Sequence, residues 1–133
     1  MGTDMAPRKI IIDTDPGQDD AFAIVGGNVP LSLTTKNALK VVELAGRPDV
    51  PVFAGCPGPM VKPLMTAEYV HGETGLDGAE LPEPTTPVQD EHAVNWMVRT
   101  IMDAPEGEIT VCTLGPMTNL AMAMTMEPRI IPR

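Results

Sequence analysis

The chain reads IIIDTDPGQDDA from Ile10 to Ala21, an apolar β-branched run that leads directly into four aspartates. A short apolar run closed by a turn dipeptide is typical of a buried strand, so we predict a strand over Lys9–Asp13 and a turn at Pro16-Gly17. In open α/β sheets, ligands bind beyond the carboxyl ends of strands, which is where these aspartates fall. The stretch therefore predicts an α/β fold with a functional site at the end of its first strand.

The four aspartates, Asp13, Asp15, Asp19 and Asp20, fall within eight residues. Carboxylates this close repel one another unless a cation lies among them, and oxygen ligands in a tight loop suit Ca²⁺ or Mg²⁺. The alternative is a solvated turn in which Asp19 or Asp20 caps a helix. The charge crowding favours a divalent-cation site, with a carboxylate that takes a proton from bound water.

Composition excludes several classes of protein. With 133 residues the chain predicts a single α/β domain over 1–133, and its net charge of −9 argues against nucleic-acid and anionic-membrane partners. No apolar run approaches the roughly 20 residues of a membrane span, and the amino terminus lacks the apolar core of a signal peptide. The two cysteines, Cys56 and Cys112, are far apart in sequence and are typical of reduced thiols. We therefore expect a cytoplasmic protein.

Strand and helix patterns alternate along the rest of the chain, which predicts a mostly parallel, Rossmann-like sheet flanked by helices. Strands are predicted over Val50–Ala54 and Glu108–Thr113, and a helix is predicted from Gly115-Pro116 to Pro128. A second helix is predicted over Ser32–Ala45, with Gly46 after its end and an apolar face of Leu33, Asn37, Val41 and Leu44. A third is predicted over Asp90–Met102, with Asp90 as its N-cap and an apolar stripe of Val94, Met97, Val98 and Ile101. The methionines from Met117 to Met126 are expected to pack in the core.

Three weaker candidates lie outside the aspartate cluster. Asn28 is able to hydrogen-bond a sugar hydroxyl, although an asparagine beside glycines is typical of a turn. His71 lies in a glycine-rich loop. Its functional interpretation is contact with a ligand ring or donation of a proton, and the alternative is an ordinary surface histidine. The Leu114–Asn119 segment follows a predicted strand, so its backbone is placed to offer a carbonyl to a metal, or it is a routine turn into a helix.

The segment Asp13–Ala21 closely resembles the amino-terminal fingerprint of the inosine–uridine preferring nucleoside hydrolases. Three further segments agree with that family in order, namely Gly27–Leu31, His71–Gly78 and Leu114–Ala121. The resemblance implies the nucleoside hydrolase fold, of which this chain would be the amino-terminal part, a ribonucleoside substrate and a Ca²⁺ cofactor. It further implies hydrolysis of the N-glycosidic bond to ribose and free base, and a homo-dimer or homo-tetramer.

The same resemblance implies roles for individual residues. Asp15 would be a Ca²⁺ ligand and the base that activates the attacking water. Asp20 and the backbone carbonyl of Leu114 would also bind the metal, with Asp13 as a supporting acid behind it. Asp19 and Asn28 would contact the ribose hydroxyls, and His71 would lie beside the leaving base. An anionic site of this kind would stabilise the oxocarbenium-like state of ribosyl cleavage.

The chain departs from the family pattern after Ile24. Only Val25 separates a predicted helix start at Asp19–Ile24 from the Gly26–Pro30 loop, whereas a strand–helix–strand crossover takes about 30 residues, so the spacing predicts a crossover that is cut short. The family continues this helix and adds a strand before the loop, so the resemblance implies that roughly 15 to 20 residues are absent here. Two rival hypotheses stay open. One is a haloacid-dehalogenase-like Mg²⁺ phosphohydrolase, which Asp13-x-Asp15 fits and the tandem Asp19-Asp20 does not. The other is a catalytically incomplete remnant that only binds calcium or a partner.

Overall fold

A computed structural model of the chain describes residues 8–15 and 29–133. The elements in that part are, in chain order, strand β1 (Lys9–Asp13), helix α1 (Leu31–Leu44), the single-turn helix α2 (Glu68–His71), helix α3 (Ala93–Asp103), strand β2 (Ile109–Thr113), helix α4 (Thr118–Met126) and a 3-10 turn (Pro128–Ile130). The predicted helix start at Asp19–Ile24 and the expected gap after Ile24 lie outside the described residues.

Strands β1 and β2 pair in parallel, from Lys9 opposite Ile109 to Asp13 opposite Thr113. The α/β class with a parallel sheet flanked by helices is confirmed. The strand prediction over Lys9–Asp13 is also confirmed, but the expectation that the strand is buried throughout is wrong. Ile11 is buried, whereas Ile10 and Ile12 are 57% and 62% exposed. Since successive side chains of a strand point to opposite faces, the helices of the described part cover one face of β1 and leave the other open.

The core lies between the sheet and the α3–α4 pair. Its buried members are Ile11, Val94, Met97, Ile101, Ala123 and Ile130. Val94, Met97 and Ile101 recur at helical spacing, so the predicted stripe of α3 is confirmed, with Val98 only half buried. The methionine prediction for α4 holds in part, because Met122 and Met124 pack against the core whereas Met117 and Met126 are more than half exposed.

Helix α3 begins later than the sequence pattern predicts. The prediction placed Asp90 at the N-cap, but that position belongs to His92, whose Nδ1 accepts a hydrogen bond from the backbone N–H of Val94 at 3.2 Å. At the other end, Arg133 donates from Nη2 to the carbonyl of Ala104 at 2.6 Å. A basic side chain on the last carbonyls of a helix satisfies acceptors that have no partner within the helix.

Helix α1 has the predicted length, and Gly46 follows its end with φ of 67°, a conformation that glycine adopts readily. The predicted apolar face is confirmed at Asn37, which is buried, and wrong at Val41 and Leu44, which are 43% and 71% exposed. The helix also buries Thr34 and Leu39, which the prediction left off that face. The buried side of α1 meets the loop that follows α2 rather than a second apolar surface, since the Asn37 side-chain amide donates to the carbonyl of Thr74 at 2.9 Å.

The predicted strand over Val50–Ala54 forms no strand ladder with the residues that the structure describes. Phe53 makes a single parallel bridge to Gln89, and the ring of Phe53 stacks on Trp96 with centroids 4.4 Å apart. This segment therefore pairs with the chain just before α3 and packs on α3 itself. None of the helices in the described ranges has the length and apolar character needed to cross a membrane.

Candidate functional site

The carboxyl ends of β1 and β2 meet at one edge of the sheet, as the parallel pairing requires. The carbonyl of Asp13, the last residue of β1, accepts hydrogen bonds from the backbone N–H groups of Leu114 at 2.8 Å and Gly115 at 3.3 Å. The turn from β2 into α4 is thereby fixed against the end of β1. A cavity of about 560 Å³ opens at this edge, which is where ligands bind in open α/β sheets.

The cavity has a polar floor and a largely apolar wall. The floor consists of strand-end and helix-start residues, namely Asp13, Thr14, Asp15, Thr113, Gly115, Thr118 and Asn119, and the wall comes mainly from the loop Cys56–Leu64 together with Val29, Leu31, Pro116 and Met117. The predicted Asp13 and Asp15 are therefore together on one cavity. A polar end and an apolar side would suit a ligand that has both hydroxyl groups and a ring.

Asp13 is buried on the cavity floor, with only 9% of its surface exposed. Its Oδ1 accepts a hydrogen bond from Nδ2 of Asn119 at 2.8 Å. Its Oδ2 is buried without a hydrogen-bond partner in the described part of the chain. Burial raises the pKa of the Asp13 carboxyl, and the hydrogen bond from Asn119 opposes that rise in part. A buried carboxylate oxygen with no donor is costly unless a proton, water or a cation satisfies it.

Asp15 is equally buried, at 8% exposed. Gly115, in the β2–α4 turn, lies directly against it. A Cβ atom at position 115 would collide with the carboxylate Oδ1 of Asp15 and lie 2.9 Å from its backbone nitrogen. A glycine at 115 therefore lets the Asp15 carboxylate lie against the turn at the end of the neighbouring strand.

Asn119 is a site residue that the sequence interpretation missed. It was part of the segment compared with the nucleoside hydrolases but received no role. Its Nδ2 donates to Asp13, and its Oδ1 accepts from the backbone N–H of Cys56 at 2.8 Å. Burial and the negative charge of Asp13 raise the pKa of the Cys56 thiol. The sequence shows only a polar residue in the first turn of the helix that follows a strand, and nothing in it pairs Asn119 with Asp13.

The other predicted site residues are only partly described. Thr113 and Gly115 line the cavity on either side of Leu114, whose side chain is 45% exposed and is not part of the lining. His71 is the last residue of α2, and the turn after it is held by Asp77, which accepts from the backbone of Glu73 and from Thr74. Asp19, Asp20 and Asn28 lie outside the described residues.

The donors on the cavity floor are suited to a hard cation. Asp13 and Asp15 supply carboxylate oxygens, the ligands that Ca²⁺ and Mg²⁺ prefer, and one of those oxygens has no other described partner. Within residues 8–15 and 29–133 no group of three or more acidic, histidine or cysteine side chains is arranged to hold a metal. Asp13 and Asp15 would therefore supply part of the ligand set of such a metal site.

Comparison with known proteins identifies the family. Residues 24–133 match the model of the inosine-uridine preferring nucleoside hydrolases. The chain belongs to that family. It is 45% identical to an uncharacterised protein of Schizosaccharomyces pombe, over 94% of this chain and 46% of the relative. It is 40% identical to the pyrimidine-specific ribonucleoside hydrolase RihB of Escherichia coli, over 97% of this chain and 46% of that enzyme.

Solved structures agree with this assignment. The fold superposes on a purine-preferring ribonucleoside hydrolase from Gardnerella vaginalis with a TM-score of 0.82 and 28% identity, over 94% of this chain and 46% of that one. It superposes on a plant nucleoside hydrolase with a TM-score of 0.78 and 34% identity, over 94% of this chain and 45% of that one. One named relative is pyrimidine-specific and another prefers purines, so similarity to the family does not indicate which base is cleaved.

The chain spans about half the length of the relatives it matches. The two sequence matches run over 141 and 145 residues, more than the 133 of this chain, so the relatives carry residues that have no counterpart here. This agrees with the expectation that residues are absent relative to the family. The position of the gap, after Ile24, stays a prediction.

Proposed function

We propose that the chain supplies one part of an active site that hydrolyses the N-glycosidic bond of ribonucleosides, giving ribose and a free base. The observation that carries this proposal is the buried Asp15 on a cavity at the carboxyl ends of two parallel strands, in a member of the nucleoside hydrolase family. The amphipathic lining of the cavity supports it, because a nucleoside joins a polar sugar to a flat, less polar ring.

In the proposed reaction the Asp15 carboxylate accepts a proton from the water that attacks the anomeric carbon of the ribose. The negative charge of Asp13 and Asp15 would stabilise the positive charge that develops on the sugar ring as the bond to the base breaks. The leaving base needs a proton or a hydrogen-bond donor, and His71 is the candidate. Asp19 and Asn28 are the candidates for holding the ribose hydroxyls.

We further propose Ca²⁺ as the cofactor, held by Asp15, Asp20 and the backbone carbonyl of Leu114, with Asp13 behind them. When bound, the ion would supply a water of lowered pKa and a fixed point for the sugar hydroxyls. The support is the chemistry of the donors, which are all hard oxygens, and the Oδ2 of Asp13, which has no hydrogen-bond partner among the described residues. The cytoplasmic location and the homo-dimer or homo-tetramer also stay proposals.

The first test replaces Asp15 by Asn and measures release of ribose and base from inosine and uridine. We expect turnover to fall by at least about 100-fold, the usual contribution of a positioned general base, while the circular dichroism spectrum is retained. Asp90→Asn is the matched control, because Asp90 is exposed and lies outside the cavity lining. Turnover of Asp15→Asn equal to that of the unmodified chain would exclude Asp15 as the base.

The second test removes metal with a chelator and then adds back either Ca²⁺ or Mg²⁺. We expect hydrolysis to stop on chelation and to return with Ca²⁺. Activity that survives chelation would contradict the metal proposal and leave the hydrolase proposal intact. Hydrolysis of p-nitrophenyl phosphate with Mg²⁺ would favour the phosphohydrolase hypothesis, against which family membership argues.

A second candidate function follows from the ligands that the structure describes. Within residues 8–15 and 29–133, Asp13 and Asp15 are the only acids that line the cavity. A hard cation takes six to eight oxygens when it is bound tightly. Calorimetric binding of Ca²⁺ without ribose release from either nucleoside would favour a binding remnant over a hydrolase.

A further inference from the structure

The structure assigns to Asn119 the role of a positioning residue that fixes the wall of the cavity relative to its acidic floor. This inference concerns the proposed active site, so its catalytic consequence rests on the proposed function. The hydrogen bonds of Asn119 to Asp13 and Cys56 do not depend on that proposed function. Three segments meet at this one side chain, namely the end of β1 at Asp13, the start of the wall loop at Gly55-Cys56 and the first turn of α4, to which Asn119 belongs.

The two hydrogen bonds give the amide group a single orientation. The backbone N–H of Cys56 is only a donor, so it must face Oδ1, and the Asp13 carboxylate then faces Nδ2. Both bonds measure 2.8 Å. Rotation of the amide by 180° would place an N–H against the N–H of Cys56 and an oxygen against a carboxylate. The side chain therefore acts as a rigid spacer between the loop and the carboxylate.

Close packing on the other side limits where the amide can go. A Cβ atom at Gly55 would lie 2.5 Å from Oδ1, 2.6 Å from Nδ2 and 2.8 Å from Cγ of Asn119. Contacts under about 3 Å force something to move. Gly55 thus leaves just enough room for the amide, and any larger residue at 55 would push it away from Asp13 or from Cys56.

What Asn119 positions is the beginning of the loop that forms the apolar wall. The loop runs from Cys56 to Leu64, and all of its residues except Pro63 line the cavity. Met60 and Val61 are 48% and 93% exposed, so little packing from the described chain holds the middle of the loop. Its distance from the Asp13–Asp15 floor therefore depends strongly on how its first residue is anchored.

The test uses Cys56 as a reporter that depends on neither metal nor turnover. Cysteine alkylation is followed on the intact chain by peptide mass spectrometry, and the backbone amide of Cys56 by hydrogen exchange. In Asn119→Leu we expect Cys56 alkylation and amide exchange to speed up about tenfold, which corresponds to the loss of one hydrogen bond of typical strength. Cys112, in β2, serves as the internal control and should be alkylated at its original rate.

Two further variants separate anchoring from general damage. Asn119→Asp keeps an acceptor for Cys56 but loses the donor to Asp13, so Cys56 should stay protected. Gly55→Ala leaves Asn119 in place but crowds it, so Cys56 should again become exposed. Asn95→Asp and Asn95→Leu are the matched controls, because Asn95 is an exposed asparagine on α3. Cys56 protection unchanged in both Asn119→Leu and Gly55→Ala would overturn the inference.

Kinetics then report on the site. If the two hydrogen bonds of Asn119 matter for catalysis, Asn119→Asp and Asn119→Leu should both lose turnover of inosine. Of these two variants, only Asn119→Leu should also bind inosine more weakly, because the wall loop moves only when the bond to Cys56 is lost. Equal kinetics in Asn119→Asp and the unmodified chain would overturn the role toward Asp13. A chain that hydrolyses no nucleoside contradicts the proposed function, whereas the exchange and alkylation data still decide whether Asn119 anchors the loop.

Discussion

At the scale of single residues, the geometry of the candidate site depends on Gly115, which has no side chain, as much as on the aspartates. Asp15 lies against Gly115, where a Cβ atom would collide with its carboxylate. Gly115 shows no positive φ, so an alanine there would be excluded by lack of space and not by backbone strain. The turn between β2 and α4 thus sets the position of an acid two residues beyond the end of β1.

We expect Gly115→Ala to displace Asp15, to abolish any nucleoside hydrolysis, and to destabilise the fold by about 1–3 kcal/mol, as is usual when a close-packed site is overfilled. Denaturant unfolding and ribose release measure the two effects. The control for stability is Gly58→Ala, whose added Cβ would lie 3.5 Å from the Leu64 side chain, an ordinary contact. A Gly115→Ala chain as stable and as active as the unmodified one would show that Asp15 tolerates displacement.

Among the elements, α1 makes several polar contacts with the connector that follows α2. Glu43, near its carboxyl end, accepts four hydrogen bonds on Oε1 from the backbone and hydroxyl groups of Thr85 and Thr86, at 2.5 to 3.0 Å. About one and two helical turns before Glu43, respectively, Lys40 and Lys36 pair with Glu83. The connector after α2 is therefore attached along one side of α1.

These contacts predict a pH dependence for that attachment. The hydrogen bonds, led by those from Thr86, lower the pKa of Glu43 from 4.5 to about 2. A carboxyl with a depressed pKa in the folded state adds stability at pH values above its unfolded pKa, and that stability is lost as the pH falls toward the folded pKa. The contribution of Glu43 should therefore be complete above about pH 5 and vanish between pH 4.5 and 2.

We expect Glu43→Gln to melt at a lower temperature than the unmodified chain at pH 7, with the difference shrinking steadily below pH 4.5. Thermal unfolding at several pH values measures it. Glu80→Gln, at an exposed position, removes the same charge and should melt like the unmodified chain throughout. A difference for Glu43→Gln that is the same at pH 3 and pH 7 would contradict the assignment.

The elements also show which sequence patterns are predictive. The position of β1 and the stripe of α3 were predicted correctly because apolar side chains of both elements pack in a single apolar core, although β1 buries only one of its two faces. The Val50–Ala54 strand and the apolar face of α1 were not, because the partners of those segments are a single bridge and a polar loop. Asp13 and Asp15 could be found from crowding of charge alone. The role of Asn119 could not, since its partner Asp13 lies 106 residues away in sequence.

At the scale of the whole molecule, the described chain leaves much apolar surface open. Ile10 and Ile12 are exposed on one face of β1, Leu44 is 71% exposed at the end of α1, and Tyr69 is 86% exposed. Large exposed apolar surfaces are typical of association sites in soluble proteins. The homo-dimer or homo-tetramer proposed above would cover surface of this kind.

We therefore expect the purified chain to show a mass of at least twice 14.2 kDa in light scattering coupled to size exclusion. Ile12→Thr keeps a β-branched residue in the strand while making its exposed face more polar, so it should shift the population toward the monomer if that face is part of the contact. Leu44→Gln makes a comparable change at the end of α1 and serves as the comparison. A measured mass of 14.2 kDa at every protein concentration would contradict association. The exposed apolar face of β1 would then remain in contact with water in a monomer.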